Sequence, residues 1–332
     1  MLDADVEVDR REFTVRAAVQ VAPGDRLALF GPSGAGKTTV LEAIAGLVRP
    51  ARGRVQLNGR VLTSTEPPKI HVPPWQRRVG LLRQNPALFP HLSVRDNLRY
   101  AWHTGRRSGR SPGELAQVAE ALGISSLLAA MPARLSGGQA HRVALGRLLL
   151  ARCDALLLDE PYTGLDLSLR RALTELVRAL TGEVPAVLVA HELTDAQAFA
   201  DRLAVLDTGR LLQDGPAGEV VRRPASRRVA ELVGYLSFVP IASGGDGAVA
   251  GVHPERVVPG AHPERGLVLS GKVRALHPAG AGWEAGLAAG PETVWCRLPD
   301  APGAEATVTV LDPPCFGPDG TLLPRSSAQV RA

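Results

Sequence analysis

The eight residues Gly31-Pro32-Ser33-Gly34-Ala35-Gly36-Lys37-Thr38 fit the spacing G-x-x-x-x-G-K-[ST], and each fixed residue type has a chemical reason to be there. Glycines let successive backbone N–H groups turn inward around phosphate oxygens, and a helix starting behind them presents the positive end of its dipole. Lys37 would reach the β and γ phosphates of a nucleotide, Thr38 would ligate Mg²⁺, and Thr39 closes the segment. A plain glycine turn before a helix would need neither Lys37 nor Thr38. A second pair, Asp159-Glu160, ends the apolar run Leu156–Leu158. Open α/β sheets bind ligands at the carboxyl ends of their strands. Asp159 is thus placed to hold Mg²⁺ through water, and Glu160 to polarise an attacking water. An acidic strand end alone is common; beside a phosphate loop it completes a hydrolytic site.

Elements must bring these residues together. Phe13–Val21 and Arg26–Phe30 read as strands split by the turn Pro23-Gly24, and Thr38–Leu47 reads as a helix, so strand, glycine loop and helix follow one another as at the front of a parallel α/β domain. Ala155–Leu158 and Ala186–Ala190 are short apolar runs expected of strands buried on both faces. Leu173, Leu176, Val177 and Leu180 mark an amphipathic crossover helix between them, and Leu203–Leu206 continues the alternation. Between Gln84 and Leu135, helical spacing of Leu115, Val118, Ala119 and Leu122 replaces strand patterning, which predicts a helical insertion over about 85–150 with a surface loop at His103–Pro112. From Leu236 the composition turns to Gly, Pro and short strands at Leu267–Ala275, Val294–Leu298 and Ala306–Leu311. The expected division is an α/β domain over 1–235 and a β-rich one over 240–332, with the change at Gly234–Ser243 and loose final residues.

The 332 residues favour two domains, and the 45% hydrophobic and 21% charged fractions are those of a globular chain. The net charge of +5 is dispersed and aromatics make up only 4%, which argues against a nucleic-acid face. Three cysteines at irregular spacing, Cys153, Cys296 and Cys315, fit neither a disulfide framework nor a zinc site and favour a reducing compartment. Asp3, Asp5, Glu7 and Asp9 exclude a cationic signal peptide at the N-terminus, and no run approaches the roughly 18 apolar residues of a spanning helix. If this protein works at a membrane, other chains cross it.

The phosphate loop with Asp159-Glu160 defines a P-loop NTPase, a class that includes helicases, GTPases and kinases. The subclass rests on Leu135-Ser136-Gly137-Gly138-Gln139. Ser136 suits a helix N-cap, and the N–H groups of Gly137 and Gly138 begin a helix whose positive end can face an anion. On this pentapeptide the chain resembles the ABC ATPase family, whose signature motif it is. The resemblance implies ATP as substrate with Mg²⁺, and a homodimer in which Ser136, Gly137, Gly138 and Gln139 of one copy face the γ-phosphate held by Gly31, Pro32, Ser33, Gly34, Ala35, Gly36, Lys37, Thr38 and Thr39 of the other. It also implies that Gln84, after the apolar Val79–Leu82, is the Q-loop glutamine that contacts Mg²⁺ and water. Gly164-Leu165-Asp166 would be the D-loop, and His191, directly after Ala186–Ala190, the switch histidine. The implied catalytic set is Glu160, His191 and Gln84; the implied metal set is Thr38, Gln84 and Asp159.

Leu57-Asn58-Gly59-Arg60-Val61-Leu62, Arg77-Arg78-Val79-Gly80, Leu88–Val94 and Asn97–Tyr100 resemble bacterial importer ATPases, most of all those of molybdate importers, over about residues 1–235. The resemblance implies permease subunits in the membrane, a solute-binding protein outside it, and a place on the cytoplasmic face. It also implies that the tail is a barrel-like regulatory or dimerisation domain of MOP/TOBE type, in which Gly251–Val257 looks like the entry segment. The Ser-x-Arg-Asn type sequence of molybdate-binding modules does not precede Gly271-Lys272-Val273, which favours a dimerisation barrel over an anion site built on Lys272. Sulfate, polyamine, iron and sugar remain alternative cargoes, and a soluble ABC protein is the rival outside transport. Two positions depart from the family pattern. Phe13 reads as core, so Arg10 or Arg11 would occupy the adenine side. His141 stands where importer subunits carry glutamine before Arg142, a change expected to bear on helix packing more than on hydrolysis.

Overall fold

The computed structural model describes residues 1–104, 112–151, 153–162, 165, 167–241, 246–289 and 292–324. Most of the expected loop His103–Pro112, the D-loop positions Gly164 and Asp166, and residues 325–332 lie outside these. The chain divides into two compact units, Met1–Ala217 and Gly218–Ala332.

Strict alternation starts the first unit. Leu2, Ala4, Val6 and Val8 are buried while Asp3, Asp5, Glu7 and Asp9 point away, the period-two pattern of a half-buried strand. This strand, β1 (Leu2–Asp9), pairs antiparallel with β2 (Thr14–Val21) on one side and β4 (Arg52–Leu57) on the other. With β5 (Arg60–Ser64) and β6 (Ile70–His71) these make an antiparallel wing. Asn58 (φ 50°) and Gly59 (φ 79°) form the left-handed turn that a two-residue hairpin requires. The other half is parallel: β10 (Arg202–Asp207), β3 (Arg26–Phe30), β9 (Ala186–Ala190), β8 (Ala155–Asp159) and β7 (Val79–Leu82) lie side by side. The strand β11 (Arg210–Pro216) links the halves, giving one eleven-stranded sheet in the order β6-β5-β4-β1-β2-β11-β10-β3-β9-β8-β7. Every residue of β8 and β9 is buried, as their unbroken apolar runs require.

The helix α1 (Lys37–Ala45) follows β3 and packs on the sheet through Val40, Leu41 and Ile44. Beneath its last turn lies Arg77, only 1% exposed. Its guanidinium donates to Ile44 O (2.8 Å), Val72 O (2.8 Å) and Thr63 Oγ1 (2.8 Å), so one charged group satisfies a helix end and two wing segments together. Burial lowers its pKa to about 10, still well above neutrality. Arg77→Met keeps the volume and orphans those acceptors; the expected loss of stability is about 3 kcal/mol by urea unfolding.

The helical insertion comprises α2 (Val94–Thr104), α3 (Pro112–Ala121) and α4 (Gly137–Leu150). Leu115, Val118, Ala119 and Leu122 are buried, as their spacing predicts. The crossover between β8 and β9 is α5 (Leu167–Thr181), and α6 (Leu193–Phe199) leads into β10. No helix among the described residues is long and apolar enough to cross a membrane.

The second unit begins earlier than composition suggests. α7 (Ala217–Arg222) and α8 (Arg227–Leu232) precede the expected change at Gly234–Ser243, yet they are tied to the β-rich part. Tyr235 Oη donates to Val221 O (2.9 Å), Arg227 N donates to Gly320 O (2.8 Å), and Ser226 bridges Thr321. A helix's periodicity shows which face is apolar but not which unit will cover it. The strands are β12 (Ser237–Pro240), β13 (Val249–Val252), β14 (Val257–Pro259), β15 (Gly266–Ala279), β16 (Gly282–Ala289), β17 (Glu292–Leu298), β18 (Glu305–Leu311) and β19 (Cys315–Phe316). They form a three-stranded sheet, β12-β13-β19, and a five-stranded antiparallel sheet, β14-β18-β15-β16-β17. The larger sheet curls until its two edge strands approach one another. Between the sheets lies a core of Val252, Leu267, Leu287, Val294, Val308 and their neighbours.

Candidate active site

The phosphate loop follows β3 and runs into α1. Gly31 (φ 151°) and Gly36 (φ 100°) hold it. A Cβ on Gly31 would stand 2.0 Å from Leu206 O, and one on Gly36 would stand 2.7 Å from Val15 Cγ2, so both the backbone angles and the neighbours require glycine. Ala35 is buried and Ser33 and Gly34 are exposed, which leaves the loop's crest open. Lys37 is only 6% exposed. Its ammonium donates to Gly31 O (2.8 Å) and Pro32 O (2.9 Å). Burial pulls its pKa below the usual lysine value, while the Glu160 and Asp159 carboxylates oppose that shift.

The carboxylates arrive from β8. Asp159, buried at the strand end, accepts from Thr38 Oγ1 at 3.0 Å through Oδ2 and 3.3 Å through Oδ1. Burial raises its pKa and the Thr38 bond counteracts this. A hydroxyl and a carboxylate converging beside a phosphate loop form an all-oxygen donor set, the kind a small hard cation takes together with phosphate oxygens and water. Thr38 Oγ1 and the Asp159 carboxylate fit Mg²⁺, with phosphate oxygens of a nucleotide and water left to complete the set. Glu160 adopts φ 51°, a left-handed conformation uncommon outside glycine. Gln84 Nε2 donates to its Oε2 at 3.1 Å, and His191 Nδ1 lies 3.7 Å from its Oε1. Gln84 directly follows Arg83 at the end of β7, and His191 follows β9, so three adjacent parallel strands deliver Gln84, Glu160 and His191 to one point.

Ser136, Gly137, Gly138 and Gln139 lie apart from this group. Gln139 N donates to Ser136 Oγ (3.2 Å), and Ser136 N donates to Gln139 Oε1 (2.9 Å), a reciprocal capping box that opens α4. Among the described residues no hydrogen bond or ion pair joins this motif to Gly31–Thr39. Phe13 packs against the core of the first unit, as its sequence context predicts. Arg10 donates to Thr39 Oγ1 (2.8 Å) and pairs with Glu42 (3.1 Å). That bracing of α1 was not legible in the motif, because nothing in the sequence links Arg10 to Glu42. His141, on α4 two residues beyond Gln139, is only 5% exposed, and burial lowers its pKa while backbone groups of Pro161 and Gln84 act against that shift.

The fold and this cluster define a P-loop nucleotide hydrolase. A model of the ABC transporter family matches residues 16–163. The chain is 39% identical over 241 residues to the molybdate/tungstate import ATP-binding protein of Thermococcus kodakarensis, covering 70% of each chain. It is 41% identical over 255 residues to the molybdenum import ATP-binding protein of Mycobacterium tuberculosis, covering 74% of this chain and 67% of that one. Identity to the Fe(3+) ions import ATP-binding protein of Pseudomonas fluorescens is 41% over 229 residues, 67% of this chain and 62% of the other. Among solved structures, a bacterial Atm1-family ABC exporter with ATP bound superposes with a TM-score of 0.58 at 28% identity, covering 70% of this chain and 41% of that one. The chain belongs to the ATP-binding proteins of ABC transporters, and it is an ATPase.

Proposed function

We propose that this chain energises solute import by binding and hydrolysing ATP as a homodimer on the cytoplasmic face of the membrane, and that its cargo is molybdate. The observation that carries the mechanism is the convergence of Gln84 and His191 on Glu160 beside the Thr38–Asp159 pair. Gly31–Thr39 would wrap the phosphates, and Thr38 and Asp159 would hold Mg²⁺, with Gln84 near it. Mg²⁺ supplies charge neutralisation on the phosphate oxygens. Glu160 polarises the attacking water, Gln84 orients the carboxylate, and His191 stands toward the γ-phosphate. Ser136 and Gly137 are exposed at the start of α4, where backbone N–H groups can face an anion held by a second copy.

Between the Gln84 loop and α4 lies an open groove of about 260 Å³, walled in part by Leu82, Pro86, Phe89, Tyr100 and Arg147. The Phe89 ring lies 4.3 Å from that of Tyr100 at a tilt of 48°, and the Arg147 guanidinium sits 5.0 Å from the Phe89 ring centre. This largely apolar, aromatic-walled groove would receive a loop of the permease, so that closure of the dimer moves the membrane subunit. A solute-binding protein completes the importer outside the cell. In the second unit Lys272 is exposed on β15 and Gly271 meets the Ala288 backbone within the strand ladder. The β-rich unit is read as a dimerisation or regulatory domain. The cargo rests on the names of the molybdate-importing relatives. Cells lacking this chain are expected to lose uptake of radiolabelled molybdate and to recover it with the wild-type chain but not with Glu160→Gln. Loss of sulfate or ferric iron uptake with molybdate uptake intact would replace the cargo and leave the ATPase reading standing.

A further inference from the structure

Two chain segments leave the hydrolytic group separately, and one helix holds both. After Glu160 the chain passes Tyr162 and Leu165 into α5, and after His191 it passes Glu192 into α6. Arg170, in the first turn of α5, reaches each of them. Its Nε donates to Leu165 O at 3.0 Å, and its Nη1 donates to Asp195 Oδ1 at 2.6 Å with Glu192 Oε2 3.5 Å away. One turn further along α5, Thr174 Oγ1 lies 2.7 Å from Tyr162 Oη, and both residues are buried. Arg170, Glu192 and Asp195 line one open pocket of about 190 Å³ together with Glu160 and His191, so the tie stands directly beside the reacting groups.

The Arg170–Asp195 pair is unlike an ordinary surface bridge. Exposed pairs contribute little, because water screens them and two long side chains must be ordered. Here the Asp195 side chain is 13% exposed and that of Arg170 29%. The guanidinium is also anchored at a second point by the Leu165 carbonyl, and short charge-assisted bonds are the strong ones. Asp195 sits in the first turn of α6, four residues after His191. His191 itself is half exposed, with Nδ1 3.7 Å from Glu160 Oε1. At that separation the contact cannot hold the ring in place, so the position of His191 depends on the backbone that carries it.

We propose that Arg170 is a positioning residue for hydrolysis: by joining Leu165 to Asp195 it sets the start of α6 against the chain that follows Glu160, and so keeps His191 beside the Glu160 carboxylate. The inference rests on the reading of Glu160 and His191 as the catalytic pair. Arg170 acts through geometry alone and leaves the phosphate loop, Thr38 and Asp159 as they are.

The test compares Arg170→Met and Asp195→Asn in the full chain, each alone and combined with His191→Ala. Steady-state and single-turnover phosphate release measure the chemistry, and a fluorescent ATP analogue measures binding. Misplacing a reacting group is costly, so each single variant is expected to lower kcat about tenfold with nucleotide affinity within about twofold. Because the effect runs through His191, the same substitutions should cost less than about twofold once His191 is alanine. Wild-type kcat in Arg170→Met overturns the proposal. So does a further tenfold loss in the His191→Ala background, which would mean that the pair only stabilises the fold. If Arg170→Met does not fold, the nearly isosteric Asp195→Asn decides by the same two criteria. Normal turnover in His191→Ala would instead remove the reading on which the inference stands, whereas an impaired His191→Ala beside a fully active Arg170→Met removes only the inference.

Discussion

Glu160→Gln binds ATP as the wild type does and lowers steady-state hydrolysis by at least about a hundredfold, the lower end of what a positioned general base contributes. The substitution is nearly isosteric, and the amide oxygen can still accept from Gln84 Nε2, which lies 3.1 Å from the carboxylate. What is lost is the negative charge that draws a proton from the attacking water. The phosphate loop, Thr38 and Asp159 are untouched, so affinity holds. With ATP bound and not consumed, the variant accumulates as a dimer. Phosphate release measures the turnover, and sedimentation with and without ATP measures the assembly. Unchanged hydrolysis would show that Glu160 is not the water-activating group, whatever its place at the end of β8.

Lys37→Ala has the opposite signature, a loss of nucleotide affinity itself. The ammonium is held inside the loop by Gly31 O and Pro32 O at 2.8 and 2.9 Å and is nearly inaccessible to solvent. Burial disfavours its charge, and Asp159 and Glu160 restore part of it, so a cation is kept where water screens it weakly. Hydrogen bonds to charged groups are worth about 1.5–3 kcal/mol each, and one such contact removed from the phosphates lowers affinity about ten- to a hundredfold. Equilibrium titration with a fluorescent ATP analogue reads this directly. Lys37→Arg should fare little better, because a planar fork does not fit a loop that closes around a single point charge. Affinity equal to wild type in Lys37→Ala would remove this lysine from the phosphate site. The two variants therefore separate binding from chemistry.

Much of the site could be read before any coordinates because its parts are local. The glycine spacing of Gly31–Gly36 dictates backbone angles, the run Leu156–Leu158 dictates a buried strand with Asp159 and Glu160 at its end, and Ser136 with Gln139 writes its own helix cap. The phosphate loop meets Asp159 and Glu160 because parallel strands bring their carboxyl ends to one edge, whereas the Ser136 cap opens a helix elsewhere. What could not be read depends on partners far away in sequence. The wing strands β4–β6 are short and build outward from β1, whose alternation of Leu2, Ala4, Val6 and Val8 with acids does not say which segments will flank it. Arg77 reads as one arginine in a basic stretch, yet it is almost fully buried. Neither its helix-end acceptors nor the Thr63 hydroxyl adjoins it in sequence. The start of the second unit is not marked in the sequence because α7 and α8 carry no strand signal, although α7 is tied to Tyr235 through Val221 and α8 to Gly320 through Arg227.

Arg77 has one more consequence, for the way the first unit opens to solvent. Its guanidinium is shared between the end of α1, the strand carrying Thr63 and the Val72 carbonyl. Releasing any one of them leaves the charge buried and short of acceptors, at a cost larger than that of fraying an ordinary helix end. The antiparallel wing and the helix behind the phosphate loop are thereby joined into a single cooperative unit. The loop's foundation cannot loosen unless the wing loosens with it, and amide protection in the two segments rises and falls together.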